Sequence, residues 1–266
     1  MRLSVPKVLF VPLNTNHVLI FESIIRSLRC PYEVLCHDLI SDSPQYHTEN
    51  ILKKLGISYR HYPERLERSP SDTLPVQIIN CWMLRQLVRK ILTAVSPTLL
   101  VLAIDSDPIT QLFIEQSNKK GIKTVLVQES LMRSHQYGGR KKYISDILYN
   151  FLRLFGIYLS YIKYGSGECD VVLASGSLPK KIFAQRGVPE SSIHVIGYPK
   201  YDSILEKIDG TNAAEHHNKV FLFAASTGII QDEANKIFLI KLSETIKRLG
   251  TRLIIKLHPR SSTTPQ

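Results

Sequence analysis

The sequence predicts an α/β protein built on a parallel sheet with helices on both faces. Three observations carry this reading: short apolar runs recur along the chain, amphipathic stretches of helical period separate them, and the runs are near-continuous rather than alternating. A strand apolar on both sides buries both sides, so helices must cover the sheet above and below. Hydrophobic residues make up 44% and charged residues 21% of 266 residues, enough for one large core plus part of another.

In chain order, strands are expected at 8–11, 33–36, 58–61, 99–103, 124–127, 171–174, 194–196, 220–224 and 252–256. Helices are expected at 18–28, 77–94, 108–119, 178–185 and 233–249, with a further helix running through 144–162. The first apolar run is interrupted by Pro12 and is too short for a signal-peptide core, and no stretch is long and clean enough for a transmembrane helix. The apolar period lapses in a polar linker at 209–218. This divides an N-terminal domain, 1–208, from a second unit, 219–266. That unit holds a single β-α-β piece, too small for a doubly wound domain, and is expected to be incomplete.

The net charge of +11 and the pI near 9.5 imply an anionic partner, either phosphates or an acidic membrane surface. No arginine-rich tract or RNA-reading aromatic motif supports a nucleic-acid partner. Cys30, Cys36, Cys81 and Cys169 lack metal-ligand spacing, so reduced thiols in a cytoplasmic protein are expected, with no metal site and no cofactor.

Ligands of open parallel sheets bind outside the carboxyl ends of the strands, so the polar residues there are the candidates. After the first strand, His17 is either a general base or a first-turn residue of a helix capped by Asn14, Thr15 or Asn16. Asp105 and Asp107 follow the fourth strand and either touch a ligand hydroxyl or a metal, or, as favoured for Asp107 before Pro108, serve as an N-cap. After the fifth, Glu129 is either an acceptor base or a loop carboxylate paired to Arg133.

Residues 130–165 carry six basic side chains against Asp146 alone. The cluster Arg140, Lys141 and Lys142 enters a helix with a wide aromatic-apolar face, a pattern suited to an anionic membrane or an acceptor carried there. Lys200, in the turn after Gly197 and Pro199, is placed to meet a phosphate. Ser226 and Thr227 lie in a small-residue loop of the kind that holds phosphate on backbone amides. Lys256 and His258 share one side of the last strand end, where Pro259 stops the pairing. A cation and an imidazole there suit a diphosphate leaving group.

The order VLVQES, basic stretch, CDVVLASG, GYPKYD and IIKLHPR is similar to the CDP-glycerol glycerophosphotransferase and polysaccharide-biosynthesis group. These are GT-B proteins, two Rossmann-like domains, related in architecture to UDP-N-acetylglucosamine 2-epimerases and bacterial sialyltransferases. The resemblance covers most of 100–260 and rests chiefly on Gly197–Asp202 and Lys256–Pro259 in order; residues 1–100 match in pattern only.

The resemblance implies a GT-B type fold with Lys256 and His258 on the donor's phosphates. Ser226 and Thr227 would line the same cleft, with Glu129 as acceptor base and His17 as its rival. The triplet Gln128-Glu129-Ser130 departs from the group in lacking a glycine, and the group's second domain continues beyond the His-Pro motif. The expected reaction moves a glycosyl or polyol-phosphate group from a nucleotide-activated donor to a cell-envelope polysaccharide or lipid-linked acceptor, on the inner face of the plasma membrane. The alternatives are a nucleotide-sugar 2-epimerase and a non-catalytic membrane- or partner-binding module.

Overall fold

A computed structural model describes residues 6–37, 48–62, 73–129, 151–159, 162–202, 220–224 and 233–256. The chain divides into two compact units, residues 1–205 and 206–266. The expected linker at 209–218 lies outside the described residues.

The first unit holds seven strands, β1 (Val8–Val11), β2 (Tyr32–His37), β3 (Arg60–Tyr62), β4 (Leu99–Leu102), β5 (Lys123–Val127), β6 (Val171–Ala174) and β7 (Ile193–Val195). They form one parallel sheet in the order β3-β2-β1-β4-β5-β6-β7. Its helices are α1 (Thr15–Ser27), α2 (Thr48–Leu55), α3 (Leu74–Val95), α4 (Pro108–Lys119) and α5 (Ser177–Gln185).

Strand side chains alternate between the two faces and build two cores. Val8 and Phe10 of β1, Val34 of β2 and Val101 of β4 pack with Val18, Phe21 and Ile25 of α1 and Leu52 of α2. Leu9 and Val11, Leu35, Leu100 and Leu102 pack on the opposite face with Leu84, Val88 and Ile91 of α3 and Leu112 and Phe113 of α4. A third cluster, Leu126, Val172, Ala174 and Ile193, receives Phe183 of α5. The strand order reverses between β1 and β4, which places the topological switch point, and the expected ligand crevice, at their carboxyl ends.

All nine expected strands form, with ends shifted by one or two residues. The helix α2 was not expected. Its Ile51, Leu52 and Leu55 repeat at three- and four-residue spacing but over only eight residues, too few to stand out. The helix expected through 144–162 does not run its length: among the described residues, helix covers 151–154 and a turn follows at Phe155 and Gly156. Gly156 takes φ 73°, a left-handed conformation that ends a helix.

The second unit pairs β8 (Val220–Ala224) in parallel with β9 (Arg252–Lys256), joined through α6 (Glu233–Arg248). This is one β-α-β unit. Val220, Phe221, Leu222, Ile254 and Ile255 are exposed on its strands.

Candidate active site

The turn after β1 is shaped by its own side chains. Asn14 caps α1, its side-chain oxygen accepting the His17 N–H at 3.0 Å, so α1 opens three residues earlier than its apolar period suggests. The cap drives His17 inward, leaving its side chain 1% exposed. The Leu13 N–H donates to His17 Nδ1 at 3.0 Å. A ring that accepts at Nδ1 carries its proton on Nε2, and Nε2 lies 3.1 Å from Glu129 Oε1. The two candidate bases, 112 positions apart in the sequence, are therefore one hydrogen-bonded pair.

Glu129 follows β5, where three contacts fix the chain. Gln128 is buried, and its side-chain oxygen accepts the Ser175 N–H at 2.8 Å, tying the ends of β5 and β6. The Glu129 N–H donates to the Tyr164 hydroxyl at 2.9 Å, and that hydroxyl donates to the Ala103 carbonyl at 3.1 Å. The Glu129 side chain is 20% exposed, so its carboxylate reaches solvent while its His17 partner does not.

Burial pushes the Glu129 carboxyl up, but the hydrogen bond from His17 and the nearby amides of Asn16 and Asn14 outweigh it and hold the group below the ordinary glutamate range. Asn16 Nδ2 approaches Oε1 at 3.5 Å, the long limit of a hydrogen bond. Lys200, expected at donor phosphates, stands in the 3-10 turn Pro199–Tyr201 after β7 with its ammonium on the Asn16 side-chain oxygen. Carboxyl ends of β1, β5 and β7 thus bring His17, Asn16, Glu129 and Lys200 to one edge of the sheet. An ionised carboxylate that reaches solvent can take a proton from a bound hydroxyl.

The two aspartates after β4 differ in role, and the N-cap expected at Asp107 forms. Asp107 caps α4, accepting the Ile109 N–H at 2.7 Å with Pro108 at the first position. Asp105 is buried and accepts the Gly165 and Gly167 amides at 2.8 and 2.7 Å. Sequence reasoning missed Tyr164 and the Gly165-Ser166-Gly167 strap. The closely spaced glycines were the available signal, since a Cβ on Gly167 would stand 2.6 Å from the Asp105 Cβ.

Lys256 closes β9 in the second unit. Ser226, Thr227, His258, Arg133, Arg140, Lys141 and Lys142 lie outside the described residues. None of the four cysteines is in a disulfide, and among the described residues no three His, Cys, Asp or Glu side chains converge as a metal site. No helix of the described residues is long and apolar enough to cross a membrane.

No family model matches the chain, and no curated protein sequence does. Solved structures do. The chain is similar to a putative UDP-N-acetylglucosamine 2-epimerase from Listeria monocytogenes, at TM-score 0.62 and 12% identity, over 97% of this chain and 63% of that one. It is similar to UDP-GlcNAc 2-epimerase from Neisseria meningitidis, bound to UDP-GlcNAc, at TM-score 0.58 and 16% identity, over 96% and 66%. A UDP-glucosyltransferase from Polygonum tinctorium matches at TM-score 0.52 and 14% identity, over 96% and 72%. The chain spans less than two thirds of the length of the two epimerases. The fold is the expected one, α/β of GT-B type with a Rossmann-like parallel sheet.

Proposed function

We propose that the chain acts on a nucleotide-activated sugar or polyol as a transferase, with Glu129 as the base that deprotonates the acceptor hydroxyl. The observation that carries this reading is the pair of a solvent-reaching Glu129 carboxylate and a buried His17 at 3.1 Å, at the carboxyl edge of the sheet. His17 and Asn16 both engage Oε1, which assigns Oε2 to the proton. His17 is a positioning residue: its Nδ1 is taken by the Leu13 amide and its Nε2–H by Glu129.

The acceptor oxygen then bonds to the donor. For a sugar donor it bonds to the anomeric carbon, whose bond to oxygen breaks to release a nucleoside diphosphate. For a polyol-phosphate donor it bonds to phosphorus, the anhydride breaks and a nucleoside monophosphate leaves. Lys200 supplies a cation for the developing charge, and Lys256, His258, Ser226 and Thr227 are the proposed contacts to the donor's phosphates. The proposed acceptor is a cell-envelope polysaccharide or a lipid-linked precursor at the inner face of the plasma membrane.

Likeness to two proteins described as 2-epimerases favours a second reading, in which Glu129 takes a carbon-bound proton from the sugar instead. One experiment separates the two. The purified protein is incubated with CDP-, UDP- and GDP-linked sugars and CDP-glycerol, with and without a lipid-linked acceptor, and products are separated by mass and by sugar identity. Transfer to the acceptor supports the transferase, with kcat reduced about 10²–10⁴-fold in Glu129→Gln. An epimerised donor formed without acceptor would establish the second reading, and no turnover of any donor would overturn both.

A further inference from the structure

Among the described residues of the first unit, several large exposed apolar side chains gather on two adjoining pieces. The N-terminal half of α3 shows Ile79, Trp82 and Met83 to solvent, spaced three to four residues apart on one face. The helical turn at 151–154 and its exit show Phe151, Leu154 and Phe155, with Leu154 82% exposed. The pieces are joined. The Arg85 guanidinium donates to the Gly156 carbonyl, and the Tyr158 N–H donates to Cys81 Sγ at 3.3 Å. Ile157, Tyr158 and Leu159 pack on the core that contains Cys81 and Leu84.

Charge distinguishes this patch from an ordinary apolar face. Residues 73–104 and 147–167 contain no aspartate or glutamate, whereas they carry Arg85, Arg89, Lys90, Arg153 and Lys163. Residues 130–146, outside the described residues, carry Arg133, Arg140, Lys141 and Lys142 against Asp146 in the sequence. Two acids approach the patch: Glu115 of α4, which is paired to Arg85 and Lys119, and the exposed Glu168, whose charge reaches Tyr158. Apolar and aromatic side chains on a surface where cations outnumber acids match the boundary of an anionic bilayer, where rings and methylenes enter the acyl edge and cations meet phosphate headgroups. A second copy is a poorer occupant, since a two-fold interface would set one predominantly basic surface against another.

We propose that this surface of α3 and residues 151–155 seats the protein on an anionic lipid membrane. The helix α3 runs back across the sheet from β3 to β4, so its exposed N-terminal half lies at the carboxyl edge, the edge that carries Glu129. The contact would bring a lipid-linked acceptor to that edge. This consequence rests on the transferase reading, while the membrane contact does not.

Trp82 is the only tryptophan, which makes its emission a direct reporter. The full chain is titrated with vesicles of phosphatidylcholine alone and with about one third phosphatidylglycerol, following both emission and co-sedimentation. Binding to the anionic vesicles with a blue shift of Trp82 emission is expected, along with weak binding to neutral ones and loss of binding at high salt. The double variant Leu154→Glu, Phe155→Glu, at exposed positions, is expected to lower partitioning about tenfold or more while keeping the wild-type circular dichroism and its turnover of a water-soluble acceptor.

Three outcomes would overturn the proposal: no binding to anionic vesicles, binding without a change in Trp82 emission, or a concentration-dependent blue shift in the absence of lipid. The last would assign the patch to a second copy. None of these depends on a donor, so vesicle binding without turnover would reject the transferase reading and leave the membrane surface standing.

Discussion

Glu129 has to be ionised before an acceptor arrives, and its neighbours decide that. Burial alone would raise its carboxyl, and the His17 Nε2–H is the foremost influence acting the other way. The carboxyl carbon resonance absent from Glu129→Gln should therefore titrate below the ordinary glutamate value in the wild type. In His17→Phe, which keeps the ring's bulk but removes the donor, it should move up. An unchanged titration would mean that His17 does not hold the carboxylate. Because the folded-state pKa is lowered, the pair contributes stability at neutral pH that is lost as pH falls through that lowered value. The sequence contained both members, each at a strand end, but as rivals. Nothing local joins His17 to Glu129 or Asn16 to Lys200, because only the closing of β1, β5 and β7 into one sheet edge brings them together. Asp107 was legible because capping chemistry acts within two or three residues.

At the scale of elements, the apolar strands were readable because each is a short continuous run, and the segment between β5 and β6 was not. Its residues 162–170 leave the helical pattern to wrap Asp105, a constraint set by a partner some sixty positions away. There burial raises the carboxyl's pKa, while the Gly165 and Gly167 amides and the Arg186 charge pull it back. Asp105→Asn puts an NH2 group against one of those amides, leaving a buried donor unmatched. We expect a loss of about 1–3 kcal/mol in urea unfolding. A more stable variant would show instead that removing a buried charge outweighs the amide bonds. Gly167→Ala has no room for its Cβ and should be destabilising as well. Both variants should also slow turnover, because Tyr164, at the start of the strap, fixes the backbone of Glu129.

At the scale of the whole molecule, stability is distributed unevenly. The three apolar cores draw on residues between Val8 and Ile193, and among the described residues Ile246 is the one buried hydrophobic side chain of the second unit. Among the described residues the second unit is two strands and one helix, with much of its apolar surface exposed on both strands and on α6. Sheets of two strands are marginal by themselves. The folding free energy of the first unit should therefore be independent of residues 206–266, which is testable by removing them. The shortened chain should unfold in urea in one cooperative transition at the midpoint of the full chain's main transition. The full chain should add an earlier, shallower change and a concentration-dependent association, because exposed Phe221, Leu222, Ile254 and Ile255 favour contact with other surfaces. A large fall in midpoint on shortening would instead require the two units to stabilise each other. If the midpoint holds, Glu129→Gln and the Asp105 variants can be measured in the shortened chain, with the chemistry of the sheet edge separated from that of the donor side.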